Sequence, residues 1–172
     1  MDDVWALLAR VRLTQTGGSF DALADPAATD TLAAALAERL QASGLDLVVV
    51  WEGLNSAILG YAVGRRLGVP IAVLTDDEGL VTSATPARPG QRAALVAAVS
   101  PDASIARMVA GYLASQGTSL ATTATLLGRP GEPVGVTLAD LPPADAPPGL
   151  QRSEPGQSPS ATLWQPHRPD AR

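Results

Sequence analysis

LDLVVVWEGLNSAILGYAVGRRLGVPIAVL, residues 45–74, decides the fold. Leu45 to Trp51 is a valine-rich apolar run, the pattern of a strand buried on both faces of a parallel sheet. Glu52 to Asn55 reads as a turn. Ala57 to Leu67 carries apolar residues at helical spacing, and Gly68 closes that helix. Pro70 to Leu74 is a second apolar run of strand length. Strand, helix and strand in this order predict parallel pairing through a helical crossover.

The same alternation continues in both directions. Toward the C-terminus, Arg92 to Val99 is a third strand and Ser104 to Gln116 a helix ending at Gly117. Ser119 to Leu127 is a fourth strand, and Pro133 to Leu138 a fifth. Thr75 to Gln91 is polar and rich in Gly and Pro. It reads as a loop with a short strand at Leu80 to Ser83. Toward the N-terminus, Val4, Trp5, Leu7, Leu8 and Val11 form an amphipathic helix behind Asp2 and Asp3, acids suited to its positive end. Gly17-Gly18-Ser19 breaks it, and Phe20 to Pro26 is irregular. Asp30 is the expected cap of the next helix, which stops at Ser43-Gly44. The result is an α/β fold: an open parallel sheet with helices on both faces. It occupies residues 1–139. Residues 140–172 are dominated by Pro, Ala, Ser and Gly, and such a segment cannot bury enough surface to offset its ordering entropy. A disordered tail is expected there. Leu163-Trp164 is its main apolar feature, read either as incidental or as a docking motif for a protein partner.

Composition removes whole classes of chemistry. The chain of 172 residues has no Cys, so disulfides, thiolate nucleophiles and Cys-bound metals are excluded. It has no Lys, so Schiff-base chemistry and a phosphate-binding lysine are excluded too. The single His, His167, lies in the tail and cannot support a His-rich metal site. Net charge is −5, which argues against sequence-independent nucleic-acid binding. The N-terminus runs acidic, apolar, then basic, the wrong order for a secretion signal, and no apolar run approaches membrane-spanning length. The protein is read as cytoplasmic, from a high-GC, bacterial genome.

Ligands of open parallel sheets bind at the carboxyl ends of strands. Three loops qualify: Trp51 to Ser56, Thr75 to Gly79, and Ser100 to Ser104. In the first, Glu52 reads equally as a ligand group or as a solvated turn acid. In the second, Asp76-Asp77-Glu78 offers hard oxygen ligands of the kind magnesium or calcium takes, yet adjacent loop acids are commonly only solvated. No metal is assigned to them. In the third, Asp102 stands where an Asp caps a helix and complements its dipole.

The order of elements resembles the type I phosphoribosyltransferases, and the orotate type in particular. Leu13 to Phe20 is similar to the substrate-side segment of that family. Leu47 to Gly53, then a helix to Pro70, resembles its pyrophosphate loop and following helix. Pro89 to Ser100 resembles the approach to its phosphoribosyl-pyrophosphate loop, and Ala114 to Arg129 the next helix end and strand. The resemblance implies a homodimer, and magnesium if the chain is active. It also implies two consecutive acids for the ribose hydroxyls, and these positions are Ala97 and Ala98 here. The phosphate cradle becomes Ser100-Pro101-Asp102-Ala103-Ser104. Pro101 removes a backbone donor, and Asp102 puts negative charge where phosphate belongs. The pyrophosphate-loop region, Glu52, Gly53 and Asn55, is altered too: where the family carries paired small residues it offers one Gly, Gly53, flanked by Trp51, Glu52 and Leu54. The mobile loop, cationic in orotate-type enzymes, is Asp76-Asp77-Glu78. Arg88 and Arg92 are read as the positive charges nearest to it, able to meet an anion but as loop arginines commonly facing water. These departures point to a degenerate, non-catalytic domain that binds a ligand or partner, with no cofactor expected. The alternatives are an active orotate or other phosphoribosyltransferase using Glu52, Asp102 and Arg88, and a structural, assembly-forming dimer.

Overall fold

The computed structural model describes residues 4–15, 18–129 and 135–140. At its centre lies β1, Leu47–Trp51, with Leu47 through Val50 all buried. Its valines leave one rotamer dominant and pack well against neighbouring strands, which suits a position with strands on both sides. On one side β1 pairs in parallel with β2, Ile71–Asp77, through Val49 and Ala72. On the other it pairs in parallel with β4, Arg92–Val99, through Val48 and Ala94. Beyond β4 come β5, Ser119–Gly128, and β6, Val136–Asp140, both parallel. Beyond β2 comes β3, Leu80–Ser83, the one antiparallel strand among the described residues. The order is β3-β2-β1-β4-β5-β6.

This order places the helices. The chain steps from β1 to β2 in one direction and from β4 to β5 in the other. Right-handed crossovers then carry the intervening helices to opposite faces. Helix α3, Leu54–Leu67, covers one face together with α1, Val4–Arg10, and α2, Pro26–Leu40. Helix α4, Ala103–Ser115, covers the other through Val109 and Leu113, which pack on Val49, Leu74 and Leu95. The expected open sheet with helices on both faces is the observed architecture. Helix α3 lies close to the sheet because Gly60 and Gly64 face it. A Cβ on Gly60 would overlap Val50 Cγ1, and one on Gly64 would sit 2.6 Å from Ile71 Cγ1. No helix among the described residues is long and apolar enough to cross a membrane.

Three local expectations are corrected. Asp30 does not cap α2. The helix begins a turn earlier, where Asp25 has extended φ, accepts the Ala28 N–H at 3.0 Å, and is followed by Pro26 at the first helical position. Asp30 instead sits inside α2 and pairs with Arg65 at 3.2 Å and Arg66 at 2.5 Å on α3. Second, β2 does not stop at Leu74 but continues through Thr75, Asp76 and Asp77, which pair with β3. The short strand expected at Leu80 to Ser83 is present as β3, and Glu78 and Gly79, with φ of 51° and 88°, close the hairpin between it and β2, while residues 84–91 remain a loop. Positive φ at both central residues is the geometry of a tight hairpin turn. Third, the last strand starts at Val136, and Pro133 lies outside the described residues. So do Asp2 and Asp3, Gly17, and residues 141–172 with His167 and Trp164.

Candidate functional site

Between β1 and β4 the strand order reverses, and a crevice at the carboxyl ends of strands opens at such a switch point. Glu52 and Gly53 follow β1 on one side. Ser100, Pro101 and Asp102 follow β4 on the other. The fold therefore brings two of the three expected loops to one crevice, flanked by the N-termini of α3 and α4.

On the β1 side, Gly53 has φ of 121°, a backbone that side-chain-bearing residues rarely adopt. Gly53 lets the chain turn from β1 into α3 within two residues. Glu52 is exposed, with no hydrogen bond or ion pair among the described residues. Trp51 is half-buried and packs on the cluster beneath α4, so its ring belongs to the core and is not a free platform. Asn55 is engaged by the N-terminal segment. Its carboxamide oxygen accepts the Ala22 N–H at 3.1 Å and its nitrogen donates to the Phe20 carbonyl at 2.8 Å. It ties the N-terminal segment to α3.

On the β4 side, Ser100 is buried. Its N–H donates to the Leu127 carbonyl at 3.0 Å, and its hydroxyl accepts the Arg129 N–H at 3.1 Å. Ser100 thus joins the ends of β4 and β5. Asp102 caps α4: its Oδ1 accepts the Ser104 and Ile105 N–H groups, each at 2.9 Å. The first amides of a helix are the groups that would hold an anion there. Two of them are already satisfied by a carboxylate carrying its own negative charge. Ala103 and Ser104 are exposed on the first turn. Ala97 and Ala98, at the end of β4, present methyl groups. Beside Ala97 in register stands Thr125, whose Oγ1 is fully buried and has no hydrogen-bond partner among the described residues. Sequence reasoning missed it, since an isolated Thr in a strand gives no such signal.

The third loop does not reach this crevice as a loop at all. Asp76 and Asp77 are consecutive on β2, so their side chains point to opposite faces of the sheet. Asp76 Oδ1 accepts the Gly79 N–H at 2.7 Å and serves the turn. Among the described residues no three acids or His side chains converge for a metal ion, and the alanines at the end of β4 supply no side-chain oxygen.

Arg88 and Arg92 are also displaced. The Arg92 guanidinium donates to the Ser43 carbonyl at 3.2 Å, and its N–H to Asp46 at 2.9 Å, both just before β1 begins. The Arg88 carbonyl accepts the Thr118 hydroxyl at 2.7 Å, just before β5 begins. Both arginines lie at the amino end of the sheet, a full strand length from the crevice. Arg92 opens β4 in a parallel sheet, so its place at the amino end follows from the strand itself.

A mostly parallel α/β sheet with a switch-point crevice defines the class. No family model and no curated protein matches the chain. Solved structures share its fold. The adenine phosphoribosyltransferase of Rhodothermus marinus superposes with a TM-score of 0.61 at 18% identity, over 72% of this chain and 87% of that one. That of Thermoanaerobacter pseudethanolicus gives 0.60 at 17% identity, over 71% and 87%. A hypoxanthine phosphoribosyltransferase from Staphylococcus aureus gives 0.53 at 14%, over 66% and 73%. The chain has the type I phosphoribosyltransferase fold.

Proposed function

We propose that this is a non-catalytic phosphoribosyltransferase-like domain of the orotate type that acts by binding a ligand or a partner. The observation that carries the reading is the Asp102 carboxylate on the α4 amides. In this fold the helix after β4 opens onto the switch-point crevice, and its amides are the natural seat of a phosphate. A carboxylate fixed there opposes a second anion by charge and by competition for donors.

Two further features support it. The hairpin turn Glu78-Gly79 replaces a mobile loop with a two-residue connection, too short to close over the crevice. No Lys exists in the chain, and Arg88 and Arg92 sit at the wrong end of the sheet to neutralise pyrophosphate. Glu52, Asp102 and Arg88 therefore cannot act together, which weighs against an active enzyme. The domain works as a cytoplasmic homodimer on this reading, without a cofactor.

Isothermal titration of the pure protein with phosphoribosyl pyrophosphate and magnesium is the direct test. No heat of binding is expected below millimolar ligand. Micromolar binding, or release of pyrophosphate when orotate or a purine base is added, would overturn the proposal.

A further inference from the structure

Helices α2 and α3, with the segment that leads into α2, leave a groove on the surface of the domain. It holds about 150 Å³; Leu23, Pro26, Ile58, Tyr61 and Ala62 line it together with the Asp30–Arg65 ion pair. Leu23 and Tyr61 are 59% and 60% exposed, among the few large apolar side chains so placed. A volume of this order accommodates one aromatic ring. The lining suits such a ring as well. Tyr61 can stack or meet it edge-on, while the Arg65 guanidinium is engaged by Asp30 at 3.2 Å.

We propose that this groove is the docking site of the chain's own C-terminal segment, with the Trp164 indole as the anchor. Residues 141–172 lie beyond the described part, and Trp164 is the only aromatic residue among them. The described chain ends at Asp140, which pairs with Gly128 at the carboxyl end of the sheet. Helix α2 packs against β6 and begins, at Pro26, at that same end. Residues 141–163 span up to roughly 75 Å when extended, against a radius of gyration of about 14 Å for a domain of this size. Reach is therefore no obstacle. The segment carries Asp145, Glu154 and Asp170 against Arg152, Arg168 and Arg172, so no block of like charge holds it off the groove. Pro159 and Pro166 bracket the Leu163-Trp164 pair and reduce the conformational freedom that docking removes.

The test uses the full chain and amide NMR. Trp164→Ala cannot unfold the domain from the tail. It is expected to shift the amide resonances of Leu23, Ile58, Tyr61 and Arg65. Tyr61→Ala, at an exposed site, is expected to move the Trp164 indole N–H to the position of a solvent-exposed Trp and to leave Tm unchanged. The proposal fails if Trp164→Ala leaves those four residues unmoved, or if its shifts fall on another surface. It also fails if the groove shifts disappear on dilution, because the occupant would then be a second copy of the chain.

Discussion

The Asn55 carboxamide holds the backbone of Ala22, accepting its N–H at 3.1 Å while donating to the Phe20 carbonyl at 2.8 Å. A residue expected to face a ligand is thereby committed to the fold. Phe20 and Ala22 are themselves buried, so the clamp sets how the N-terminal segment lies across the start of α3. Asn55→Ala leaves a donor and an acceptor unpaired at a part-buried site. A loss of about 1–3 kcal/mol in urea unfolding is expected. Amide exchange at Ala22 should quicken with it. Unchanged stability and unchanged Ala22 protection would mean that water replaces the clamp without loss.

Asp102→Ala separates two consequences of one carboxylate. Loss of the cap should cost about 0.5–2 kcal/mol. The same change frees the Ser104 and Ile105 amides and removes a negative charge from them. Added inorganic phosphate should then raise the Tm of the variant, since a ligand that binds only the folded state stabilises it. The wild type should not respond. Equal responses from both proteins would show that the carboxylate does not obstruct an anion.

The sheet was legible because its central strands are buried on both sides, and burial leaves a plain mark in sequence. Leu47 to Val50 and Arg92 to Val99 appear where their apolar runs lie. Legibility fails where that mark stops. Thr75, Asp76 and Asp77 extend β2 beyond the helical layers, where only β3 pairs with them and polar residues are tolerated. Asp25-Pro26 carried a valid helix start, but Asp30, two residues before Leu32, matched the start of the apolar pattern more closely. In the site, short-range features such as the Asp102 cap could be read from adjacent residues. The place of Asn55 could not. It is fixed by partners more than 30 residues away, at Phe20 and Ala22.

Acid pH should act in part through Asp25. Its carboxylate accepts the Ala28 N–H, which lowers its pKa below the ordinary 3.8, with Arg10 adding to the effect and desolvation opposing it. The folded state therefore binds this proton less readily than the unfolded chain. The sign follows: the contribution is present above 3.8 and is lost as pH falls through the lower folded value. Asp25→Asn keeps a capping side chain without the titration. Urea unfolding at pH 6 and again near pH 2 should find the gap between wild type and variant narrowing at the acid end. A gap that stays constant or widens would contradict the assignment.

Gly60→Ala tests whether close approach of α3 governs the crevice. Intrinsic helix propensity favours Ala over Gly by about 1 kcal/mol, so on propensity alone the change stabilises. The packing predicts the reverse. The new methyl would overlap Val50 Cγ1, and Val50 is held on β1 between β2 and β4, with no room to retreat. Overpacking of this kind costs about 1–3 kcal/mol. Gly111→Ala is the matched control. Gly111 lies on the exposed face of α4, and nothing approaches its Cβ position within 4 Å, so there the propensity gain should appear undiminished. The two variants should therefore move Tm in opposite directions. Val50 lies directly before Trp51, Glu52 and Gly53, so the strain at Gly60→Ala should also shift the amide resonances of that turn. If Tm rises in both variants, α3 has room to spare and does not fix the β1 side of the crevice.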